Sequence, residues 1–97
     1  MNKKIEIGKL IHQIRKERQL TLKYVAKKID IDLTLLSKIE NGERQIQPHM
    51  LKPLADVFNL SYKELQIQFL NQKIHSEFGN EPYYKEAIEI LLNDFEN

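Results

Sequence analysis

The sequence contains no cysteine and no tryptophan, only three glycines and three prolines, and no long apolar run. Without cysteine there is no disulfide framework, no thiolate nucleophile and no zinc site built on thiolates. Few glycines and prolines, with little alternation of β-branched residues, favour helices over sheets. No apolar stretch approaches the roughly 20 residues that span a bilayer, and Glu6 and Gly8 interrupt the region where a signal peptide needs apolar residues. We therefore expect a globular all-α protein in the cytoplasm.

Net charge is also nearly absent: the 97 residues include 15 Lys and Arg and 14 Asp and Glu, which gives a formal net charge of +1. The two parts of the chain differ, however. Residues 1–52 carry 12 basic and 6 acidic side chains, a net of +6, whereas residues 53–97 carry 3 and 8, a net of −5. This segregation suggests that the first part faces a polyanion, although small chains also segregate charge by chance.

Hydrophobic periodicity and capping residues predict three helices in the first part of the chain. The first runs from about Ile5 to Arg18, with its apolar side chains at helical spacing. Thr21 and Asp32 are N-cap candidates for two short helices, because their side-chain oxygens accept from free N–H groups of the first turn. Asn41 and Gly42 end the second of these.

Three more helices are predicted in the second part. One begins near Pro48, and Pro53 leaves two alternatives: the regular helix begins near Met50 with Pro53 in its first turn, or it kinks at Pro53. Ser61 and Glu64 form a capping box that opens a fifth helix. Gly79 ends that helix, and Pro82 begins a sixth, amphipathic one.

Two of the predicted helices form a helix-turn-helix unit. They are joined by a short turn, Ala26 is the small residue at their contact, and the second helix, 32–41, would lie in a DNA major groove. The run from Thr21 to Gly42, TLKYVAKKIDIDLTLLSKIENG, resembles the helix-turn-helix of the Cro/phage-repressor (XRE-type) regulators. The similarity extends from about Ile7 to Leu65. It implies a five-helix, lambda-repressor-like DNA-binding domain that acts as a homodimer on a two-fold operator.

The resemblance also assigns DNA contacts to individual residues. The base-reading or groove-facing positions correspond to Leu33, Thr34, Ser37 and Lys38, and the backbone-phosphate positions correspond to Asn41 and Arg44. Lysine can donate to guanine, hydroxyls can bond several bases, and leucine can contact a thymine methyl. Lys23 and Lys27 are further candidates for phosphate contact, which positions a protein without specifying sequence. Without the motif, these lysines would be interpreted as a solvated helix face.

Four other positions bear on how the unit is built. The resemblance pairs Arg15 with Glu40 as a buried ion pair between the first and third helices. Leu22 stands where the family usually has glutamine, and Asp30 replaces the usual turn glycine. We expect the fold to tolerate both departures. At the turn, aspartate is acceptable because it enters the left-handed region more readily than most residues.

The chain thus divides into a DNA-binding domain, residues 5–66 with the motif at about 21–41, and a C-terminal helical extension, residues 67–97. The last helix carries more apolar surface than a five-helix unit needs to close its core. We expect this stripe to form the dimer interface, and its members are Ile88, Leu91, Leu92 and Phe95. The alternative is that the helix covers its own monomer.

No Gly-rich phosphate loop and no Ser/His/Asp arrangement accompanies these features, and His12, His49 and His75 are too far apart in sequence to suggest a metal site. We expect no catalysis, no metal and no cofactor. The hypothesis is a sequence-specific double-stranded DNA-binding transcriptional regulator, either a repressor or an autoregulator. The alternative is a protein-interaction module, such as an antitoxin or a restriction-modification controller, that engages a protein partner through the acidic last helix.

Overall fold

A computed structural model describes residues 6–96, and these residues are all α with no strand. They form α1 (Ile7–Glu17), α2 (Leu22–Lys28), α3 (Leu33–Glu40), α4 (Leu51–Phe58), α5 (Tyr62–Phe78) and α6 (Tyr84–Glu96), with a 3-10 turn at Pro48–Met50. The predicted all-α fold with an additional C-terminal helix is confirmed. Ile5, where the first helix and the first domain were predicted to begin, lies outside the described residues. None of the described helices is both long enough and apolar enough to cross a bilayer.

Side-chain caps set where the two short helices begin. Thr21 Oγ1 accepts a hydrogen bond from the backbone N–H of Tyr24 at 3.0 Å, and the Asp32 carboxylate accepts from that of Thr34 at 2.9 Å. Each cap satisfies one of the first-turn N–H groups that have no partner within the helix. Both N-cap predictions are confirmed.

Three turns between the helices depend on left-handed backbone at non-glycine residues. These are Gln19 (φ 56°), Asp30 (φ 57°) and Asn59 (φ 54°). Asparagine and aspartate tolerate this region because their short polar side chains bond locally. Asp30 therefore supplies the conformation for which the related family uses glycine. Gly42, at φ 82°, likewise reverses the chain directly after α3.

Pro53 lies in the first turn of α4 and does not kink it. Because α4 begins at Leu51, Pro53 is its third residue, where a backbone N–H has no intrahelical acceptor and its absence costs little. The first of the two alternatives for this helix is therefore the one adopted.

The core lies where α1 to α5 meet. Its buried members are Ile7, Ile11, Val25, Ala26, Ile29, Leu36, Ile39, Ile46, Met50, Leu51, Leu54, Ala55, Phe58, Leu65 and Phe69. None of the residues of α6 is buried. The helix α5 runs unbroken across residue 66, and Phe69 belongs to the core. The core of the predicted DNA-binding domain therefore includes one side chain, that of Phe69, beyond the predicted boundary.

Gly8 permits a close approach between α1 and α3. A Cβ at this position would collide with the backbone carbonyl oxygen of Ile39. Because backbone atoms cannot rotate out of the way as a long side chain can, only glycine allows this packing. The contact fixes the second half of α3 against the start of α1.

Candidate nucleic-acid interface

The short helix α3 has one buried side and one exposed side. Successive residues turn by about 100° around a helix. The inward side consists of Leu35, Leu36, Ile39 and Glu40, and the outward side consists of Leu33, Thr34, Ser37, Lys38 and the C-cap residue Asn41. Leu33 leaves 43% of its area exposed, Thr34 and Lys38 are exposed, and Ser37 is half-buried. The structure thus brings all four predicted base-reading residues together on the outward side of one helix.

The helix α2 presents Lys23 and Lys27 to solvent. They lie four residues apart on one side of the helix, away from the buried Val25 and Ala26. Leu22, in contrast, is half-buried and packs against the core. The residue that replaces the family glutamine therefore contributes to packing and supplies no polar group to the surface.

The loop after α3 is folded back onto the end of the helix. The backbone N–H groups of Glu43 and Arg44 both donate to the carbonyl oxygen of Lys38, at 2.9 and 3.3 Å. The left-handed conformation of Gly42 makes this reversal possible. Arg44 is exposed, as is Asn41. Both predicted phosphate-contacting residues are thus solvent-accessible at the end of α3.

A buried ion pair joins α1 to the last residue of α3. Arg15 Nε donates to Glu40 Oε2 at 2.9 Å, and Arg15 Nη2 donates to Glu40 Oε1 at 3.0 Å. A third guanidinium bond, from Nη1, reaches the carbonyl oxygen of Leu20 at 2.9 Å. The side chains of Arg15 and Glu40 are only 10% and 3% exposed. This two-bond geometry fixes the orientation as well as the position of the two helices.

His12 is a further member of this cluster that sequence reasoning missed. Its Nδ1 lies 2.7 Å from Glu40 Oε1, so the carboxylate meets side chains from two successive turns of α1. The signal was the spacing of His12 and Arg15, which places both on one face of α1. Among residues 6–96, no buried side-chain nitrogen or oxygen lacks a hydrogen-bond partner.

Arg18 makes a second link between α1 and the rest of the fold that sequence reasoning missed. Its Nη1 donates to the carbonyl oxygen of Phe58 at 2.7 Å, and its guanidinium lies 6.0 Å from the centre of the Phe58 ring. Phe58 is fully buried at the end of α4. The bond satisfies a carbonyl that the helix itself leaves without a partner.

The predicted dimer stripe on α6 is exposed in the single subunit. Leu91, Leu92 and Phe95 leave 49%, 56% and 78% of their areas exposed, and Ile88 is half-buried. Tyr84, at the start of the helix, meets the ring of His75 edge-on at 6.3 Å between centroids. The described contacts of α6 with its own subunit leave most of the stripe uncovered.

The described residues form no metal site, since no three His, Asp or Glu side chains gather in positions that could hold an ion. The inward side of α3 packs against the core, and its outward side presents hydroxyl, ammonium and apolar groups. Exposed cations lie on α2 and on the loop after α3. Such an arrangement is that of a helix-turn-helix unit, whose second helix can enter a DNA major groove.

Comparison with known proteins gives the same class. The sequence matches the family model described as helix-turn-helix over residues 11–65, which is more than half of the chain. No curated protein and no solved structure matches. The chain belongs to the XRE-type helix-turn-helix family, a family of DNA-binding regulators.

Proposed function

We propose that this protein is a sequence-specific regulator of transcription that binds double-stranded DNA with α3 in the major groove. The observation that carries the proposal is the outward side of α3, where Leu33, Thr34, Ser37 and Lys38 lie together while the opposite side is buried. A lysine ammonium can donate to guanine O6 or N7, and a hydroxyl can donate to or accept from several bases. The ion pair of Arg15 and Glu40 would hold this reading surface at a fixed angle to the rest of the domain.

Phosphate contacts are proposed for the residues around the reading surface. Lys23, Lys27 and Arg44 are exposed cations on α2 and on the loop after α3, and Asn41 offers a neutral amide. A dimer would carry six of these cations, three from each subunit. We therefore expect the logarithm of the affinity for DNA to fall with the logarithm of the salt concentration with a slope of about −5. These contacts set orientation and affinity, and the outward residues of α3 set sequence preference.

A fluorescence-anisotropy titration over a salt series tests the DNA-binding proposal. The probe is a duplex from the region upstream of the gene, with a shuffled duplex as competitor. We expect the variant with both Thr34→Ala and Lys38→Ala to lose its preference for the upstream duplex, because each good base contact contributes about 1–3 kcal/mol of discrimination. Lys85→Ala removes an exposed lysine from α6 and serves as the control. A flat salt response, or unchanged preference in the double variant, contradicts the proposal.

The protein is proposed to act as a homodimer on a two-fold operator. What supports this is the apolar stripe of Ile88, Leu91, Leu92 and Phe95, which the single subunit leaves mostly exposed. On this proposal residues 5–66 bind DNA and residues 67–97 dimerise, with Phe69 of the second part also packing in the core of the first. In sedimentation equilibrium, Leu91→Glu should weaken self-association, whereas Ile90→Glu, at a 65% exposed position on the other side of α6, should not.

Repression or autoregulation is the regulatory outcome that we propose. A dimer whose two reading helices enter successive major grooves covers half-sites about 10 bp apart, and a bound dimer would block other proteins from that DNA. A reporter under the gene's own upstream region should therefore rise when Lys38→Ala replaces the wild-type protein. Reporter expression that falls in this variant would indicate an activator instead.

A second candidate function is an interaction module whose α6 binds a different protein, such as the toxin of an antitoxin pair. Its support is the same exposed stripe, together with the acidic residues Glu86, Glu89, Asp94 and Glu96 on that helix. Sedimentation distinguishes the two: a chain that stays monomeric at high concentration, yet forms a defined complex with the product of a neighbouring gene, favours the interaction module.

A further inference from the structure

A cleft opens beside the loop that follows α3. Its walls come from three parts of the fold: the start of α1, residues 42–46 after α3, and residues 69–76 of α5. Its volume is about 250 Å³, just below the 300–1,000 Å³ of sites that take drug-sized ligands. Liquid water occupies about 30 Å³ per molecule, so the cleft has room for a ligand of roughly eight to ten non-hydrogen atoms. A nucleotide does not fit.

The lining of the cleft combines apolar and polar side chains. Its apolar part includes Ile46 and Phe69, which belong to the core and are each only 9% exposed. The exposed members of the lining carry charged or hydrogen-bonding groups, and among them are Glu6, Arg44, Gln45, Lys73 and Ser76. Small-molecule sites have this composition, because apolar walls supply contact area and a few polar groups fix the orientation of the ligand.

Arg44 brings a positive charge to the cleft that the subunit does not pair. Its backbone N–H donates to the carbonyl oxygen of Lys38, but its guanidinium makes no hydrogen bond or ion pair with any of residues 6–96. Lys73, in contrast, is paired, because its Nζ lies 3.3 Å from Glu77 Oε1. A guanidinium binds a carboxylate through two parallel hydrogen bonds. Arg44 therefore favours a ligand that carries a carboxylate.

Glu6 brings a negative charge to the same cleft. Its Oε1 lies close to Gly42, since a Cβ built on that glycine would be 3.6 Å from this oxygen. The ion pair of Glu6 with Lys9 spans 4.0 Å between exposed side chains, and such a pair is weak. The Glu6 carboxylate can therefore accept from the ammonium group of a ligand, and it repels phosphate esters that carry two negative charges. A cation and an anion in one cleft favour a zwitterion.

We propose that this cleft binds a free α-amino acid with an aliphatic side chain. Arg44 binds the carboxylate of the ligand, Glu6 binds its ammonium group, and the aliphatic side chain lies against Ile46 and Phe69. Both charged groups of an α-amino acid are attached to one carbon, and Glu6 and Arg44 border one small cleft, so a single molecule can reach both. Valine, leucine and isoleucine have the number of atoms that the volume admits.

Occupation of the cleft has a consequence for DNA binding. This consequence rests on the proposed function, in which Arg44 contacts a DNA phosphate. While the carboxylate of the amino acid holds the guanidinium, Arg44 is not available to the phosphate, so the amino acid and DNA compete. We expect the bound amino acid to lower the affinity for DNA roughly tenfold, and DNA lowers the affinity for the amino acid by the same factor. The ligand would thus release the protein from its operator.

An amide NMR titration of the full chain without DNA tests the site directly. With L-leucine as the probe, the signals of Gly42, Arg44 and Ile46 should shift saturably in the millimolar range, whereas those of α6 should not. Isocaproate lacks the ammonium group of leucine and isoamylamine lacks its carboxylate, so each should bind roughly tenfold more weakly or worse. Arg44→Ala and Glu6→Gln should weaken leucine binding to a similar extent, and Lys85→Ala, at an exposed position of α6, should not.

Anisotropy titrations of DNA with and without leucine test the competition. Glu6→Gln keeps every proposed DNA contact, so it should bind DNA as the wild type does and lose the response to leucine. The site is overturned if leucine, valine and isoleucine all leave the cleft signals unchanged, or if isocaproate or the Arg44→Ala variant binds as well as the wild-type pair does. Cleft binding without any change in DNA affinity overturns the competition alone. A chain that binds no DNA contradicts the proposed function, and the NMR titration still reports on the cleft.

Discussion

Replacing Glu40 with alanine removes the carboxylate that joins α1 to α3. In the native protein, that carboxylate accepts two bonds from Arg15 and lies 2.7 Å from His12 Nδ1. After Glu40→Ala, the Arg15 guanidinium stays in a site where its side chain is only 10% exposed and keeps a single bond, to the Leu20 carbonyl. The charge is then buried without an opposite charge.

The expected cost follows from this burial. Breaking a buried ion pair by removing one partner costs about 3–5 kcal/mol, and we expect the lower end, about 3 kcal/mol, because the Leu20 carbonyl still accepts from Arg15. For a domain of this size, each kcal/mol shifts the Tm by about 4–8 °C, so the Tm should fall by at least about 12 °C. A domain stable by 5–15 kcal/mol would thus lose a substantial fraction of its free energy of unfolding.

Urea unfolding followed by circular dichroism measures this cost, and an apolar double variant identifies its origin. The variant with both Arg15→Met and Glu40→Leu replaces the pair with apolar side chains of similar size, and it should be more stable than Glu40→Ala alone because no unpaired charge remains. A solvent-exposed ion pair contributes less than about 1 kcal/mol to the free energy of unfolding, so a loss of that size for Glu40→Ala would indicate an exposed pair. That result would refute the argument that this contact fixes α3 through a buried bond.

Three further predictions concern packing, phosphate contact and backbone conformation. Gly8→Ala should lower the free energy of unfolding by about 1–3 kcal/mol in urea titrations, because its Cβ collides with the Ile39 carbonyl; an unchanged midpoint would show that α1 can shift freely. Lys27→Ala removes two proposed phosphate contacts per dimer, so the slope of log affinity against log salt should become less steep by about 2 in anisotropy titrations, and an unchanged slope would remove Lys27 from the interface. Asp30→Val should cost about 1–2 kcal/mol because valine disfavours the left-handed backbone found there, whereas Asp30→Gly should not; equal stability of these two variants would contradict the turn assignment.

Much of the fold was predictable because local signals and tertiary packing agree. Thr21 and Asp32 cap α2 and α3 by hydrogen bonds within the next three residues, and such contacts depend on nearby sequence alone. The outward position of Thr34 and Lys38 follows from helical period once the core side of α3 is known. The ion pair of Arg15 and Glu40 is different, because its partners are far apart in the sequence and only the family resemblance brought them together.

Features that depend on distant contacts, or on helices with apolar residues on both sides, could not be predicted from the sequence. His12 approaches Glu40 only because α1 and α3 cross at that point, and no local pattern identifies that crossing. Gln19 takes a left-handed conformation that its residue type does not favour, so tertiary packing decides that turn. In α5, apolar residues lie on opposite sides of the helix, as Ile67 and Phe69 do, so the sequence pattern shows no single amphipathic face. Which side is buried emerges only when the other helices are in place.

The central claim is that the outward side of α3 reads DNA sequence as part of a two-fold protein. Selection of bound duplexes from a random-sequence pool, performed in parallel with the wild-type chain and with Lys38→Ala, tests it most directly. We predict that the wild type enriches an inverted repeat with half-sites about 10 bp apart, and that Lys38→Ala relaxes the preference at one symmetric pair of positions while the rest of the repeat is retained. Enrichment of no sequence by the wild type, or of the same sequence at every position by both proteins, would contradict the claim.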